Sequence, residues 1–102
     1  MSEVIREGEN TVIRLGTNIV AFIAENFKQK LLSVVNTLEG KLIIDLDGVE
    51  MVDSVGLGVI ISAYNTLTLK GSTLEIINAS NEIYGLFSTM RLNRRFKVEK
   101  AV

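Results

Sequence analysis

The spacing of apolar residues along the chain predicts three helices. The first apolar set recurs at intervals of three and four residues, which is typical of an amphipathic helix that buries one face. It consists of Val20, Ile23, Ala24, Phe27, Leu31, Val34, Val35 and Leu38. A second helix is predicted to begin near Ser54 and to end at about Leu69, and a third, shorter one follows Ser80. Each predicted helix has an apolar face that must be covered by another element.

Short polar residues and a glycine mark the predicted ends of these helices. Thr17 or Asn18 can cap the first helix, because a small polar side chain can accept a hydrogen bond from an unpaired amide of the first turn. Gly40 stands where a left-handed residue commonly ends a helix. Ser54 and Ser80 are the cap candidates for the second and third helices.

Runs of β-branched and apolar residues between the helices predict strands. A hairpin is predicted from Val4-Ile5 and from Thr11 to Leu15, with turn-forming residues at 8–10 between them. The run from Leu42 to Leu46 is apolar on both pleat faces until Asp45, as in a central strand covered by helices. Further strands are predicted from Thr73 to Ile77 and, as a short edge strand, from Phe96 to Val98. This order predicts an α/β fold with a mixed sheet of four to five strands and helices packed against it.

Between the Leu42 strand and the second helix, the chain is expected to turn at Asp47-Gly48 and to return towards the core at Met51-Val52. The helix that follows is apolar on two sides. Val55 and Val59 lie about opposite its main apolar stripe, so the helix is either sandwiched or offers one face to a partner. That main stripe consists of Leu57, Ile60, Ile61, Tyr64 and Leu67.

Composition excludes several classes of function. The 102 residues fit one domain, residues 1–102, and the net charge of −1 gives no overall attraction to nucleic acid or to a membrane. The chain has no histidine and no cysteine, which removes the Ser-His and Cys-His nucleophiles and thiolate metal sites. We therefore expect no catalytic residue, metal or cofactor. With no apolar run of about 20 residues and no signal-peptide pattern, a cytoplasmic protein is expected. A basic cluster is interpreted as a solvated face: Arg91, Arg94, Arg95 and Lys97.

The segment Asp53-Ser-Val-Gly-Leu-Gly58 at the start of the second helix carries a resemblance to a known family. With the apolar residue before it, this segment resembles the marker of the STAS domain family. That marker is an apolar residue followed by Asp, Ser, a small or β-branched residue, Gly, Leu and Gly. The match is closest to its stand-alone bacterial anti-sigma-factor antagonists. The resemblance extends over nearly the whole chain, including the preceding Leu42 to Leu46 strand and Asn78-Ala-Ser80.

This resemblance implies a phosphorylation switch in bacterial signalling that regulates transcription. In the family, the serine at the position of Ser54 is phosphorylated by a partner that is both an anti-sigma factor and an ATP-dependent serine kinase. The unphosphorylated protein binds that partner and frees a sigma factor, and the phosphoprotein releases the partner. A phosphatase acting on the phosphoserine would reset the switch.

Five neighbouring residues are assigned to partner binding on the same basis. Asp53 would support the acceptor hydroxyl, Gly56 and Gly58 would allow close approach, and Val55 and Val59 would supply apolar contact. The structural alternative is that Asp53 caps the helix, the glycines permit close packing and the valines are buried.

Two other functions remain open. The segment Gly16-Thr-Asn-Ile-Val20 lacks an aspartate that many members of the family carry, so a non-switching STAS subunit of a stress-signalling scaffold or of a lipid-transport ATPase complex is an alternative. The segment Ile44-Asp-Leu-Asp-Gly-Val49 also resembles the first motif of haloacid-dehalogenase-type phosphatases. Against an enzyme, the chain after this motif is short and lacks the later acidic pair that would complete a magnesium site.

Overall fold

Strands and helices alternate along the chain as the apolar pattern predicts. The computed structural model describes residues 3–102, without the side chains of residues 21–23, so the predicted core position Ile23 lies outside the described side chains. The elements are β1 (Glu3–Glu7), β2 (Asn10–Arg14), α1 (Ala21–Thr37), β3 (Leu42–Asp45), α2 (Ser54–Leu69), β4 (Leu74–Ala79), α3 (Asn81–Thr89), a 3-10 turn (Leu92–Arg94) and β5 (Lys97–Lys100). The predicted α/β fold with a mixed sheet is confirmed.

The sheet has five strands in the order β1-β2-β3-β4-β5. β1 and β2 form the predicted antiparallel hairpin, and β2, β3, β4 and β5 run parallel to one another. Ile13 of β2 lies beside Ile44 of β3, which lies beside Ile76 of β4. Because these strands are parallel, their carboxyl ends meet at one edge of the sheet, and the loop from β3 to α2 leaves from that edge.

The core forms on one face of the sheet. Ile13, Ile44 and Ile76 are fully buried there, together with side chains from all three helices. Ile43, which points to the other face of β3, is only half-buried. Full cover on both faces of this strand was therefore a wrong expectation, since the second face keeps partial contact with solvent.

Two predicted helix ends differ from the structure. Val20 is the N-cap residue of α1, without a side-chain cap, because Asn18 bonds instead to the loop before α2. Helix α1 ends at Thr37, its C-cap residue Leu38 is extended, and Gly40 does not have a positive φ. A Cβ atom on Gly40 would lie 2.6 Å from the carbonyl oxygen of Glu9, so this glycine allows two backbone segments to approach closely.

The bounds predicted for the second helix are confirmed, with α2 running from Ser54 to Leu69. The cap predicted for α3 is also confirmed, since the Ser80 hydroxyl oxygen accepts a hydrogen bond from the Ile83 amide at 3.2 Å. Within the described part of the chain, no helix has both the length and the apolarity that crossing a bilayer requires.

Candidate functional site

Ser54 is the first residue of the sixteen-residue helix α2 and is exposed to solvent. The cap of this helix is Asp53, as in the structural alternative given for that residue, and not Ser54. Its carboxylate Oδ1 accepts a hydrogen bond from the Gly56 amide at 2.9 Å, and its carbonyl oxygen accepts one from the Leu57 amide at 2.8 Å. The aspartate takes the cap because it stands one residue outside the helix with an extended backbone. Ser54 is therefore displayed on the first turn.

The segment that leads to Ser54 is bound to the loop before α1. Val52 forms a parallel bridge with Ile19. The Ile19 amide donates to the Met51 carbonyl at 2.9 Å, and the Asp53 amide donates to the Ile19 carbonyl at 3.0 Å. Asn18 Oδ1 accepts hydrogen bonds from the amides of Glu50, at 2.8 Å, and Met51, at 3.1 Å. These bonds hold the backbone on the approach to the serine in one conformation.

The two glycines of the motif have different surroundings. Gly56 is buried, and a Cβ atom there would lie 2.5 Å from Ile19 Cγ2 and 2.6 Å from the Ile19 carbonyl oxygen. Its missing side chain lets α2 pack against the loop before α1. Gly58 is exposed, and nothing lies within 4 Å of the position a Cβ atom would take. Of the two, only Gly58 leaves open space at the surface.

Two apolar residues close to Ser54 in sequence, Met51 and Val55, are exposed. Val55 is 49% exposed and Val59 is half-buried against the core. Met51 is 55% exposed, so the expectation that it returns to the core is wrong. Val52, as expected, is buried in the core with an exposed fraction of 7%. Consecutive side chains of an extended segment point to opposite sides, which turns Met51 outwards once Val52 is buried. We call Met51, Ser54, Val55 and Gly58 the acceptor surface.

Near the carboxyl ends of β2, β3 and β4, the buried Asp45 forms a polar cluster with partners that include the partly exposed Arg14. Its carboxylate accepts hydrogen bonds from Asn78 Nδ2 at 2.9 Å, from the Asp47 amide at 2.9 Å and from Arg14 Nε at 3.1 Å. Burial acts to raise the pKa of Asp45, but the hydrogen bonds from Asn78, Asp47 and Arg14 outweigh it and lower that pKa below its ordinary value. From the sequence, Asp45 marks only the point where the apolar run of β3 stops. The sequence feature that could have indicated this cluster is a charged residue directly after a buried apolar run.

The Asp45 cluster also bears on the phosphatase-like motif. The carboxylate is engaged with three donors that hold the turn at Asp47, and this arrangement does not present its oxygens to a magnesium ion. Among the residues that the structure describes, no three His, Cys, Asp or Glu side chains group as a metal site.

The basic cluster lies at the other end of the molecule. Arg91, Arg94 and Arg95 are exposed and precede the amino end of β5, whereas Ser54 follows the carboxyl end of the parallel strand β3. Lys97 pairs with Glu99 at 2.8 Å. The predicted solvated face is thus separate from the acceptor surface.

This architecture is similar to that of known proteins. A family model described as the STAS domain matches residues 2–102. Three solved structures have similar folds. A candidate anti-sigma factor antagonist from Thermotoga maritima has a TM-score of 0.91 and 19% identity, over 99% of this chain and 87% of that chain. An anti-sigma factor antagonist from Mycobacterium paratuberculosis has a TM-score of 0.88 and 22% identity, over 97% of this chain and 84% of that chain.

The third is the Bacillus cell fate determinant SpoIIAA in its phosphorylated form, with a TM-score of 0.77 and 17% identity, over 96% of this chain and 90% of that chain. At these identities, the solved structures establish a shared fold. The family model covers nearly every residue, and its match agrees with the five-stranded sheet and three helices seen here. The chain belongs to the STAS domain family.

Proposed function

We propose that this chain is an anti-sigma-factor antagonist that is switched by phosphorylation of Ser54. Unphosphorylated, it binds an anti-sigma factor that is also a serine kinase, and a sigma factor becomes available for transcription. Phosphorylated, it releases that partner. The observation that carries the proposal is the exposure of Ser54 on the first turn of α2, with Asp53 as the cap and exposed apolar side chains on either side.

The position of Ser54 supports a reversible modification because the fold can accommodate an added phosphate there. The amino end of a helix carries a partial positive charge, which stabilises a nearby anion by about 0.3 to 1 kcal/mol. The serine contributes no core packing, since its side chain lies at the surface. Phosphorylation therefore acts on the surface and leaves the folded domain in place.

The same phosphate has a large effect on an interface. It adds about −1.5 to −2 charges at neutral pH. Covering such a group with a partner surface that offers no matching cation is strongly unfavourable. About 1.4 kcal/mol is enough for a tenfold loss of affinity, so release of the partner follows from a modest mismatch.

The structural neighbours support the proposal at the level of the fold. Two of them are named as anti-sigma factor antagonists, one of these as a candidate, and the third was solved in a phosphorylated form. Asp53, Val55, Gly58 and Val59 would contact the partner, while Gly56 would shape the contact from below through its packing on Ile19. In this proposal the kinase binds the ATP, and a phosphatase removes the phosphate from Ser54. The chain acts in the cytoplasm as one domain, residues 1–102.

The proposal is tested by intact-mass spectrometry after incubation with ATP and the anti-sigma-type kinase encoded nearest to this gene. Wild type should gain one phosphate and Ser54→Ala none, while Ser62→Ala, which removes another exposed serine of α2, should gain one. If wild type gains none with any anti-sigma-type kinase tried, the switch is refuted. A non-switching STAS subunit then becomes the better account, and pull-down would identify its complex.

A further inference from the structure

We propose that Asn18 is a positioning residue that holds the Glu50-Met51 backbone so that Met51 is presented as an apolar contact for the partner that binds at Ser54. The inference rests on the proposed function, because it concerns the binding surface of the same serine. It adds two residues, Asn18 and Met51, that lie outside the motif at 53–58.

The Met51 backbone is held on both sides. Its amide donates to Asn18 Oδ1 at 3.1 Å, and its carbonyl oxygen accepts from the Ile19 amide at 2.9 Å. The next residue, Val52, is anchored by burial and by its bridge to Ile19. Hydrogen bonds on both sides of Met51 therefore define the direction of its Cα–Cβ bond.

Asn18 holds two backbone amides with one side-chain oxygen. One carbonyl oxygen has two lone pairs and can accept two hydrogen bonds, and here it takes the consecutive amides of Glu50 and Met51. These amides lie 32 and 33 residues away along the chain. Asn18 therefore orders the loop before α2 and leaves the cap position of α1 to Val20.

The Met51 side chain is exposed on this held backbone. A single exposed apolar residue is ordinary on a protein surface, and Met90 shows this at 50% exposure on the C-cap of α3. Met51 differs because its backbone is held and because it stands three residues before Ser54, with exposed Val55 on the other side. A flexible thioether on an ordered backbone adapts to a partner while little ordering is needed on binding.

Binding of the unphosphorylated protein to the purified anti-sigma-type kinase tests the proposal. We expect Asn18→Ala and Met51→Ala each to raise Kd by about tenfold. Asn18→Asp keeps the accepting oxygen and should bind within about threefold of wild type. Met90→Ala is the matched control and should leave Kd unchanged. If Asn18 acts through Met51, Asn18→Ala made in the Met51→Ala background should change Kd by less than about threefold.

Amide hydrogen exchange provides a readout that does not depend on the partner. Asn18→Ala should accelerate exchange of the Glu50 and Met51 amides by about tenfold or more, with the Ile44 amide unchanged. Unchanged exchange at these two amides, or additive losses of affinity in the double variant, would overturn the proposal. If wild type neither binds nor is phosphorylated by any such kinase, the proposed function and the contact role of Met51 both fail. The exchange experiment then decides the positioning role alone.

Discussion

At the scale of single residues, Asp45 and Asp53 show how two similar carboxylates acquire different roles. Asp53 lies at the surface end of α2 and accepts an amide hydrogen bond as a cap. Asp45 is buried and joins β2, β4 and the turn at Asp47 through three donors. Both stand near Ser54 in sequence, but only Asp53 adjoins the acceptor surface. Asp45 instead stabilises the turn from which the acceptor segment begins.

Stability should therefore depend on the ionisation of Asp45. Its pKa is lowered on folding, so its contribution is complete above the unfolded pKa of about 4 and is lost as pH falls through the lower folded value. Asp45→Asn should lower the free energy of unfolding by about 2 to 3 kcal/mol at pH 7, because Arg14 and the turn lose a charged acceptor.

Urea denaturation of wild type and Asp45→Asn between pH 7 and pH 3 would measure this effect. The difference between the two proteins should shrink as the solution becomes more acidic, since wild type approaches the protonated state that the amide imitates. Asp47→Asn serves as a control because Asp47 is exposed. A difference that stays constant across this range would contradict the assignment.

At the scale of elements, α2 is both a core helix and the support of the acceptor surface. Leu57, Ile60 and Leu67 are buried, while Val55 is half-exposed on its first turn. One side of the helix enters the core and its first turn stays accessible, so α2 is not covered on all sides. That a partner binds the accessible part remains a prediction. Because Gly56 has no side chain, the helix can pack closely against Ile19.

Substituting each glycine of α2 by alanine should give effects of opposite sign. Gly56→Ala places a methyl group 2.5 Å from Ile19 Cγ2 and 2.6 Å from a backbone oxygen, so we expect a loss of about 1 to 3 kcal/mol in unfolding free energy. Gly58→Ala meets open space in a helix and should stabilise by up to about 1 kcal/mol. Chemical denaturation of both variants measures this, and equal effects would disprove the packing role of Gly56.

At the scale of the whole molecule, the acceptor surface and the basic 3-10 turn occupy opposite ends of the parallel strands. The core lies between them and packs around Ile13, Ile44 and Ile76. A charge added at Ser54 is therefore placed outside the core, and its effect is confined to the acceptor end. Under the proposed function, phosphorylation would change binding at this surface and leave the fold in place.

Ser54→Asp separates these two effects. The variant should unfold within about 1 kcal/mol of wild type, because a negative charge at the amino end of a helix is tolerated or slightly favourable. Its affinity for the anti-sigma-type kinase should fall by at least about tenfold, with Ser54→Asn as the uncharged control. Thermal unfolding and a binding titration measure the two quantities. Loss of the folded state in Ser54→Asp would contradict the surface location of the switch.

Much of the fold follows from local pattern. The bounds of α2, the antiparallel hairpin and the cap at Ser80 were predicted because helix and strand periodicity and polar caps act between residues close in sequence. The one-sided cover of β3 was not predicted. An apolar run is compatible with either cover, and only the placement of the helices decides between them.

The sequence by itself determined the order of elements, the family resemblance and the candidacy of Ser54, since these depend on neighbouring residues. Tertiary structure decided what lies around that serine. The hydrogen bond from the Glu50 amide to Asn18 Oδ1 spans 32 residues, and the Asp45 cluster joins the ends of three strands. Such contacts arise only when the sheet brings the two loops together, and a polar side chain in a loop has many possible partners before that happens.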